Sequence, residues 1–231
     1  MKVDYYSTYR SFQGWSETPD ASHDLYYKLE TADLHLEPGS KIIELGFGDG
    51  RFLDFARRSR YDVRGREIIP ELVQQAEARG HNVKTGSIRD FRSEAGSFDL
   101  VVAIDVVEHF SLDEIREFFE EVGHLLRVGG HVLLRFPNGN SPFSMPLYNS
   151  DVTHRMHLNG SSLSQICVPL GFEVVRVGNQ KRAIIGGIGI QIRRRIQFAL
   201  RSCIELLISA AYFGHRVPLD SNLVAVFRKA R

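Results

Sequence analysis

Cysteine is nearly absent: the 231 residues hold two, Cys167 and Cys203, far apart and outside any CxxC pair. A disulfide scaffold and a four-cysteine zinc site are both excluded. An excess of one charge is missing too, since 29 Lys and Arg face 28 Asp and Glu for a formal net charge of +1. The whole chain has no strong pull toward nucleic acid or an anionic membrane, so such affinity must be local and no nucleic-acid partner is expected. No internal repeat or low-complexity tract is visible. The first ten residues, MKVDYYSTYR, are polar where a secretory signal would carry an apolar run, and a reducing cytoplasm is the expected setting. What is present, 43% hydrophobic, 10% aromatic and 25% charged residues, matches an ordinary globular chain. Its length suits one α/β domain over 1–231, with a sizeable core.

Apolar periodicity alternates between strands and helices. KIIEL, 41–45, reads as a buried strand, and 51–59 as a helix with Phe52, Phe55 and Ala56 on one side. A strand at 62–68, a helix at 70–79 closed by Gly80, a short strand at 82–85 and an apolar strand at 98–105 follow. In SLDEIREFFEEVGHLL, 111–126, Ser111 and Glu114 form a capping-box signature ahead of a helical repeat. Gly129 and Gly130 then turn the chain into a fifth strand, HVLLRFPN, and strands at 171–177 and 222–229 complete the set. This order predicts a doubly wound, seven-stranded, mostly parallel sheet with an antiparallel last strand. An aromatic-rich N-terminal cover (1–36, with Tyr5, Tyr9 and Phe12 near helical spacing) precedes it. A helical insertion, 181–218, comes before the last strand.

The segment IELGFGDGRF places Gly46, Gly48 and Gly50 at the end of the first strand, where such sheets bind ligands. Bare backbone there allows close approach and frees N–H donors at the next helix start. A dinucleotide fingerprint needs its third glycine at 51, which holds Arg51, so that motif fails by one residue. Glu44, inside an apolar strand, must find donors or a cation. Glu67, closing the second strand, stands where a carboxylate accepts ribose hydroxyls.

Taken in order, E-x-G-x-G-x-G, the acidic end of strand two, FDLVVAIDVVEHF and LLRVGGHVLLRFPN resemble the class I S-adenosylmethionine-dependent methyltransferases over roughly residues 40 to 177. The resemblance implies a Rossmann-like methyltransferase fold with S-adenosyl-L-methionine as cofactor. It places Glu44, Gly46, Gly48 and Gly50 around the donor's methionine part, Glu67 on its ribose and Ile68 against adenine. Ser87 and Ile88 follow strand three, where many relatives carry an acidic residue for the adenine amino group; serine departs from that pattern. Asp105 and Val106 would close strand four beside the methionine end, with Glu108 and His109 next.

Methyl transfer to oxygen needs an in-line approach to the sulfonium and removal of the acceptor's proton. In the loop NSDVTHRMHLNG, Asp151, His154 and His157 are spaced to converge. His154 is the candidate general base with Asp151 as its orienting carboxylate, and His109 is a further catalytic candidate. The D-x-T-H run is similar to one subset of the family, encoded with bacterial surface-polysaccharide and other small-molecule pathways. Two other readings stay open: loop hydrogen-bonding alone, or a divalent cation held by Asp105, Asn138, Asp151 or a histidine, although no metal is assigned. The expected acceptor is a sugar, glycan or other small polar metabolite; a lipid-like phenol or quinone is the alternative, and a catalytically silent cofactor-binding subunit is the alternative of another class.

Between 181 and 205 the insertion carries six basic residues and no acidic one before Glu205. Ile192, Ile196, Ala199, Cys203, Leu207 and Ala210 share a helical face, and the apolar stretch reads as too short to span a bilayer. A lid over the acceptor pocket, an oligomer contact, or a peripheral membrane contact through 188–213 are the uses expected, against the plain alternative of a helix packed on the sheet.

Overall fold

The computed structural model describes residues 23–231, so the aromatic stretch 2–15 lies outside the described residues. Strands β1 (Lys41–Leu45), β2 (Asp62–Glu67), β3 (Asn82–Thr85), β4 (Phe98–Ile104), β5 (Leu126–Pro137), β6 (Phe172–Asn179) and β7 (Asn222–Lys229) form one sheet. Its order is β3-β2-β1-β4-β5-β7-β6. β7 runs antiparallel to both β5 and β6, as the pattern predicts for the last strand. The chain crosses from β3 back to β4 beside β1, which puts the switch in connection direction between β1 and β4. Ligands bind outside the carboxyl ends of the strands at that point.

Alternation within β1 explains why helices cover both faces. Ile43 joins a cluster with Val101, Phe119 and Leu134, whereas Ile42 joins Leu100, Phe52, Phe55 and Tyr27 on the opposite side. A strand buried on both faces must be apolar at every position, and Glu44 is the exception that needs a reason. Around the sheet lie α1 (Asp24–Thr31), α2 (Arg51–Arg58), α3 (Pro70–Ala78), α4 (Leu112–Leu125), α5 (Met145–Ser150), α6 (Gly160–Cys167) and α7 (Ile188–Ile208). The α4 capping box forms: Ser111 Oγ accepts from Glu114 N–H at 3.3 Å and Glu114 Oε2 accepts from Ser111 N–H at 2.7 Å. Between α2 and the α3–β3 turn, buried His81 meets Asp54 through Nε2 and Oδ1 at 2.9 Å. β5 begins earlier than expected, because Leu126 pairs with Phe98 before the Gly129–Gly130 turn and the register then shifts to Leu100 with His131.

α7 corrects the sequence reading twice. The apolar face, Ile192, Ile196, Ala199, Cys203, Leu207 and Ala210, points to solvent, so this helix does not pack that face on the sheet. Docking falls instead to a stripe with Phe198, Ser202, Glu205 and Ser209, of which only Glu205 and Ser209 are buried. Glu205 accepts from Asn179 Nδ2, from Arg216 Nε at 2.9 Å and from Leu219 N–H at 3.0 Å, tying the helix to the neighbourhood of β6 and β7. With its π-helical end, Ser209–Phe213, α7 forms a continuous 26-residue helix long and apolar enough, by length and composition, to cross a membrane. The length expectation was therefore too short, and Glu205 is held by protein rather than interrupting the helix.

Candidate functional site

Loop geometry at the end of β1 follows from its glycines. Gly46 (φ 61°) and Gly48 (φ 53°) take left-handed backbone that L side chains rarely adopt. A Cβ on Gly46 would stand 2.5 Å from Val106 Cγ2, so the loop and the end of β4 close on each other only if residue 46 is bare. Gly50 (φ 78°) has a different duty from the one expected. It is the residue before α2, a Cβ there would run into the Arg79 guanidinium, and it is absent from the cavity wall.

A cavity of about 780 Å³ opens at these strand ends, within the size range of small-molecule sites. Glu44, Gly46, Gly48, Glu67, Ile68, Ser87, Ile88, Asp105, Val106, His109, Asp151 and His154 all line it. No residue from 181 to 218 does, so the insertion supplies no wall to this cavity.

Three carboxylates, Glu44, Asp49 and Glu67, make the end of the cavity beside the glycine loop acidic. Buried Glu44 leaves Oε2 without a hydrogen-bond partner, and burial, reinforced by Asp49 and Glu67, raises its pKa well above the carboxylate norm. Burial likewise raises Asp49, against the pull of Arg51. Glu67 is raised by burial too, and three backbone donors oppose the shift. Oε1 of Glu67 accepts from Ile68 N–H at 2.7 Å and Ile69 N–H at 3.2 Å, and Oε2 accepts from Gly48 N–H at 3.1 Å. Two acceptor sites per carboxylate oxygen leave Oε2 capacity for one hydroxyl, not the full diol grip expected from sequence. An orphaned buried acid beside a bare loop fits a ligand carrying both an ammonium and a sulfonium. Ile68, 59% exposed at the rim, offers an apolar surface for a base.

Ser87 is occupied differently from expectation: its Oγ accepts from Arg89 N–H at 3.3 Å and Asp90 accepts from Ser87 N–H at 3.1 Å, a cap for the turn Ile88–Glu94. Asp105 adopts φ 57°, a strained value for a non-glycine residue, and is fixed by its N–H to Arg135 O at 2.8 Å and by the Arg135 guanidinium.

The other end of the cavity is built from the turn Val107–His109 and the loop after α5. Arg155 N–H and Met156 N–H donate to Glu108 O at 2.8 and 3.2 Å, which lock that loop onto the turn. Ring centroids of His109 and His154 are 4.8 Å apart. A carbonyl only accepts, so the 2.8 Å contact of His154 Nδ1 with Tyr148 O makes Nδ1 the protonated nitrogen and Nε2 the basic one. Asp151 therefore does not orient His154. Its Oδ1 instead accepts from Thr153 Oγ1 at 2.6 Å, and Thr153 Oγ1 accepts from His109 Nδ1 at 2.9 Å. His109 is thus fixed with Nε2 basic, and burial followed by the nearby His154 lowers its pKa. His157 stacks on Tyr148 at 3.5 Å between centroids and lies outside the cavity wall.

Glu108 does not cap α4, which Ser111 does, and its 1%-exposed carboxylate keeps Oε2 without a hydrogen-bond partner. Asn138, a cation ligand in one sequence reading, lies outside the cavity wall: its Oδ1 accepts from Asn140 N–H at 3.0 Å and its Nδ2 donates to Pro218 O and Asp220 O at 2.9 and 3.1 Å. Thr153 and Tyr148 were missed as positioning groups. Thr153 stands inside the D-x-T-H run, but only the folded loop shows which histidine it serves.

Comparison with known proteins agrees with this geometry. A family model described as "Methyltransferase domain" matches residues 21–177. "Ubiquinone biosynthesis O-methyltransferase" of Xanthomonas axonopodis pv. citri is 26% identical over 145 residues, 58% of this chain and 59% of that protein's length. "Probable fatty acid methyltransferase Rv3720" of Mycobacterium tuberculosis is 25% identical over 164 residues, 66% of this chain and 38% of its own length. The chain thus spans less than two thirds of either relative. A crystallised SAM-dependent methyltransferase from Archaeoglobus fulgidus superposes with a TM-score of 0.71 at 17% identity, covering 98% of this chain and all of that one. With its strand order, its acidic glycine loop and a family match over most of its length, the chain belongs to the class I S-adenosylmethionine-dependent methyltransferases.

Proposed function

We propose that this methyltransferase acts on a hydroxyl of a sugar, glycan or other small polar metabolite. One observation carries the reading: a single cavity joins the acidic glycine loop to two histidines whose tautomers are fixed with Nε2 basic. When bound, S-adenosylmethionine supplies a methyl group activated on a sulfonium. Glu44 and Glu67 hold the donor's charged and ribose parts, and the Gly46–Val106 contact sets how deep it sits. His154 Nε2 is the atom the chain itself offers for the acceptor's proton, and the Tyr148 carbonyl keeps the ring aimed. His154→Ala is expected to lower turnover by the 10²–10⁴-fold typical of a lost general base while S-adenosylhomocysteine affinity stays within about twofold. Full turnover at saturating acceptor would remove that role.

A second reading, a lipid-like phenol or quinone acceptor, draws support from α7. Its solvent-facing Ile192, Ile196 and Leu207 are 55%, 57% and 70% exposed, beside the exposed Arg193, Arg195 and Arg201. An apolar stripe flanked by arginines suits an anionic membrane surface. Liposome flotation at low salt with phosphatidylglycerol vesicles tests it. Co-flotation that Ile196→Glu abolishes supports membrane contact; failure to float removes it, and a dimer in light scattering would give the stripe to a second copy.

A further inference from the structure

We infer that Glu108, His109 and His154 form a binding site for a divalent transition-metal ion. Each offers one ligand atom, and the three lie within 4.8 Å of one another, with His154 Nε2 3.9 Å from Glu108 Oε1. Glu108 is 1% exposed, and its Oε2 has no hydrogen-bond partner, an uncommon condition for a buried carboxylate oxygen. The nearby Arg135 guanidinium is paired with Asp105. A cation between Glu108 and the two rings would compensate this buried carboxylate, whose Oε1 is the oxygen nearer His154.

The surroundings of the two rings fit metal ligation in detail. Metal-binding imidazoles donate their other ring N–H to a carbonyl or a carboxylate-linked group, which fixes orientation and raises basicity. His154 does so to the Tyr148 carbonyl at 2.8 Å. His109 does so to Thr153 Oγ1, whose own proton is given to Asp151. Two imidazoles with one carboxylate favour Fe, Co, Ni or Zn in the divalent state over Mg or Ca, which prefer all-oxygen shells. Ligand bonds of about 2 Å require the three atoms to draw together by roughly 1 Å or more, a movement of side-chain ends.

The ion site rests on the proposed placement of the acceptor at this end of the cavity. All three ligands line that cavity, so coordination positions beyond them open toward the acceptor. A hydroxyl bound there loses its proton to solvent, because the ion lowers its pKa. The oxygen lone pair then forms the O–C bond as the C–S bond breaks, and the departing pair stays on sulfur as a neutral thioether. With the ion bound, His154 serves as a ligand and the ion takes over the acidification of the acceptor.

Tag-free, chelator-stripped 231-residue chain titrated with Co²⁺ should bind one equivalent, with the visible absorption of cobalt in a nitrogen and oxygen shell. Glu108→Gln and His154→Ala should each weaken that binding more than tenfold, and Thr153→Val by about 10–100-fold. S-adenosylhomocysteine affinity, measured on every variant, reports that the fold and donor site survive. No cobalt spectrum in the wild-type chain, or equal Co²⁺ affinity in wild type and Glu108→Gln, would overturn the site. If cobalt fails to bind while the donor binds and His154→Ala stays inactive, the ion is refuted and the free base stands. Loss of donor binding in the wild-type chain itself would instead refute the donor assignment.

Discussion

Replacing Glu67 with alanine removes a carboxylate that joins the loops after β1 and β2, and the structure sets the size of the effect. In the free protein the change strips acceptors from Gly48, Ile68 and Ile69 N–H, two of these bonds being buried. A stranded buried donor costs about 1–3 kcal/mol. Water from the adjoining cavity can replace part of this, so a loss of about 2 kcal/mol and a melting temperature lower by about 4–8 °C are expected for a chain of this size. Donor binding loses in addition a hydrogen bond from a ribose hydroxyl to a charged oxygen, about 1.5–3 kcal/mol, or roughly 10- to 150-fold in affinity. Glu67→Gln keeps one oxygen for Ile68 and Ile69 but sets an NH₂ against Gly48 N–H, so it should fall between wild type and alanine. Calorimetry with S-adenosylhomocysteine, paired with thermal melts, separates the two effects. Affinity of Glu67→Ala within twofold of wild type would refute the role of Glu67 at the ribose.

Gly46→Ala should abolish measurable S-adenosylhomocysteine binding, because the new methyl meets Val106 Cγ2 at 2.5 Å on backbone at φ 61°; the double change with Val106→Ala should restore part of it, and calorimetry reads both. Burial lowers the pKa of His81 below the usual histidine value of 6.5, against the opposing pull of Asp54. A depressed histidine means the unfolded chain takes up the proton first, so this contribution is complete above about pH 6.5 and is lost as pH falls below it, at about 1.4 kcal/mol for each pH unit that separates the unfolded from the folded pKa. Urea melts at pH 7.5 and 5.5 should show a shallower acid loss in His81→Gln, and identical slopes would count against the burial-lowered titration of His81.

Much of the fold was readable because strand and helix periods differ and because turn residues marked the joints. The capping box of Ser111 and Glu114, the strand at 82–85 and the antiparallel last strand all follow from local pattern. The glycine loop after β1 was legible as a turn for the same reason: glycine at 46 and 48 answers a local backbone demand. Gly50 shows the limit, since its neighbour Arg79 comes from α3's far end. Histidine partners were not legible at all. Asp151 serves His109 through Thr153 rather than the nearer His154, a pairing set by how the loop folds over the turn after β4. For α7 the apolar stripe is legible but not its direction, because helical periodicity is the same whether that stripe meets the sheet or the solvent.

A crystal structure of the chain with S-adenosylhomocysteine is the most direct examination of the donor site. The nucleoside should lie over the ends of β1 and β2, its amino group within hydrogen-bond reach of Glu44 Oε2, one ribose hydroxyl on Glu67 Oε2 and its base against Ile68. A nucleoside bound anywhere else, or a donor loop that moves to fill the cavity and excludes it, would contradict the account.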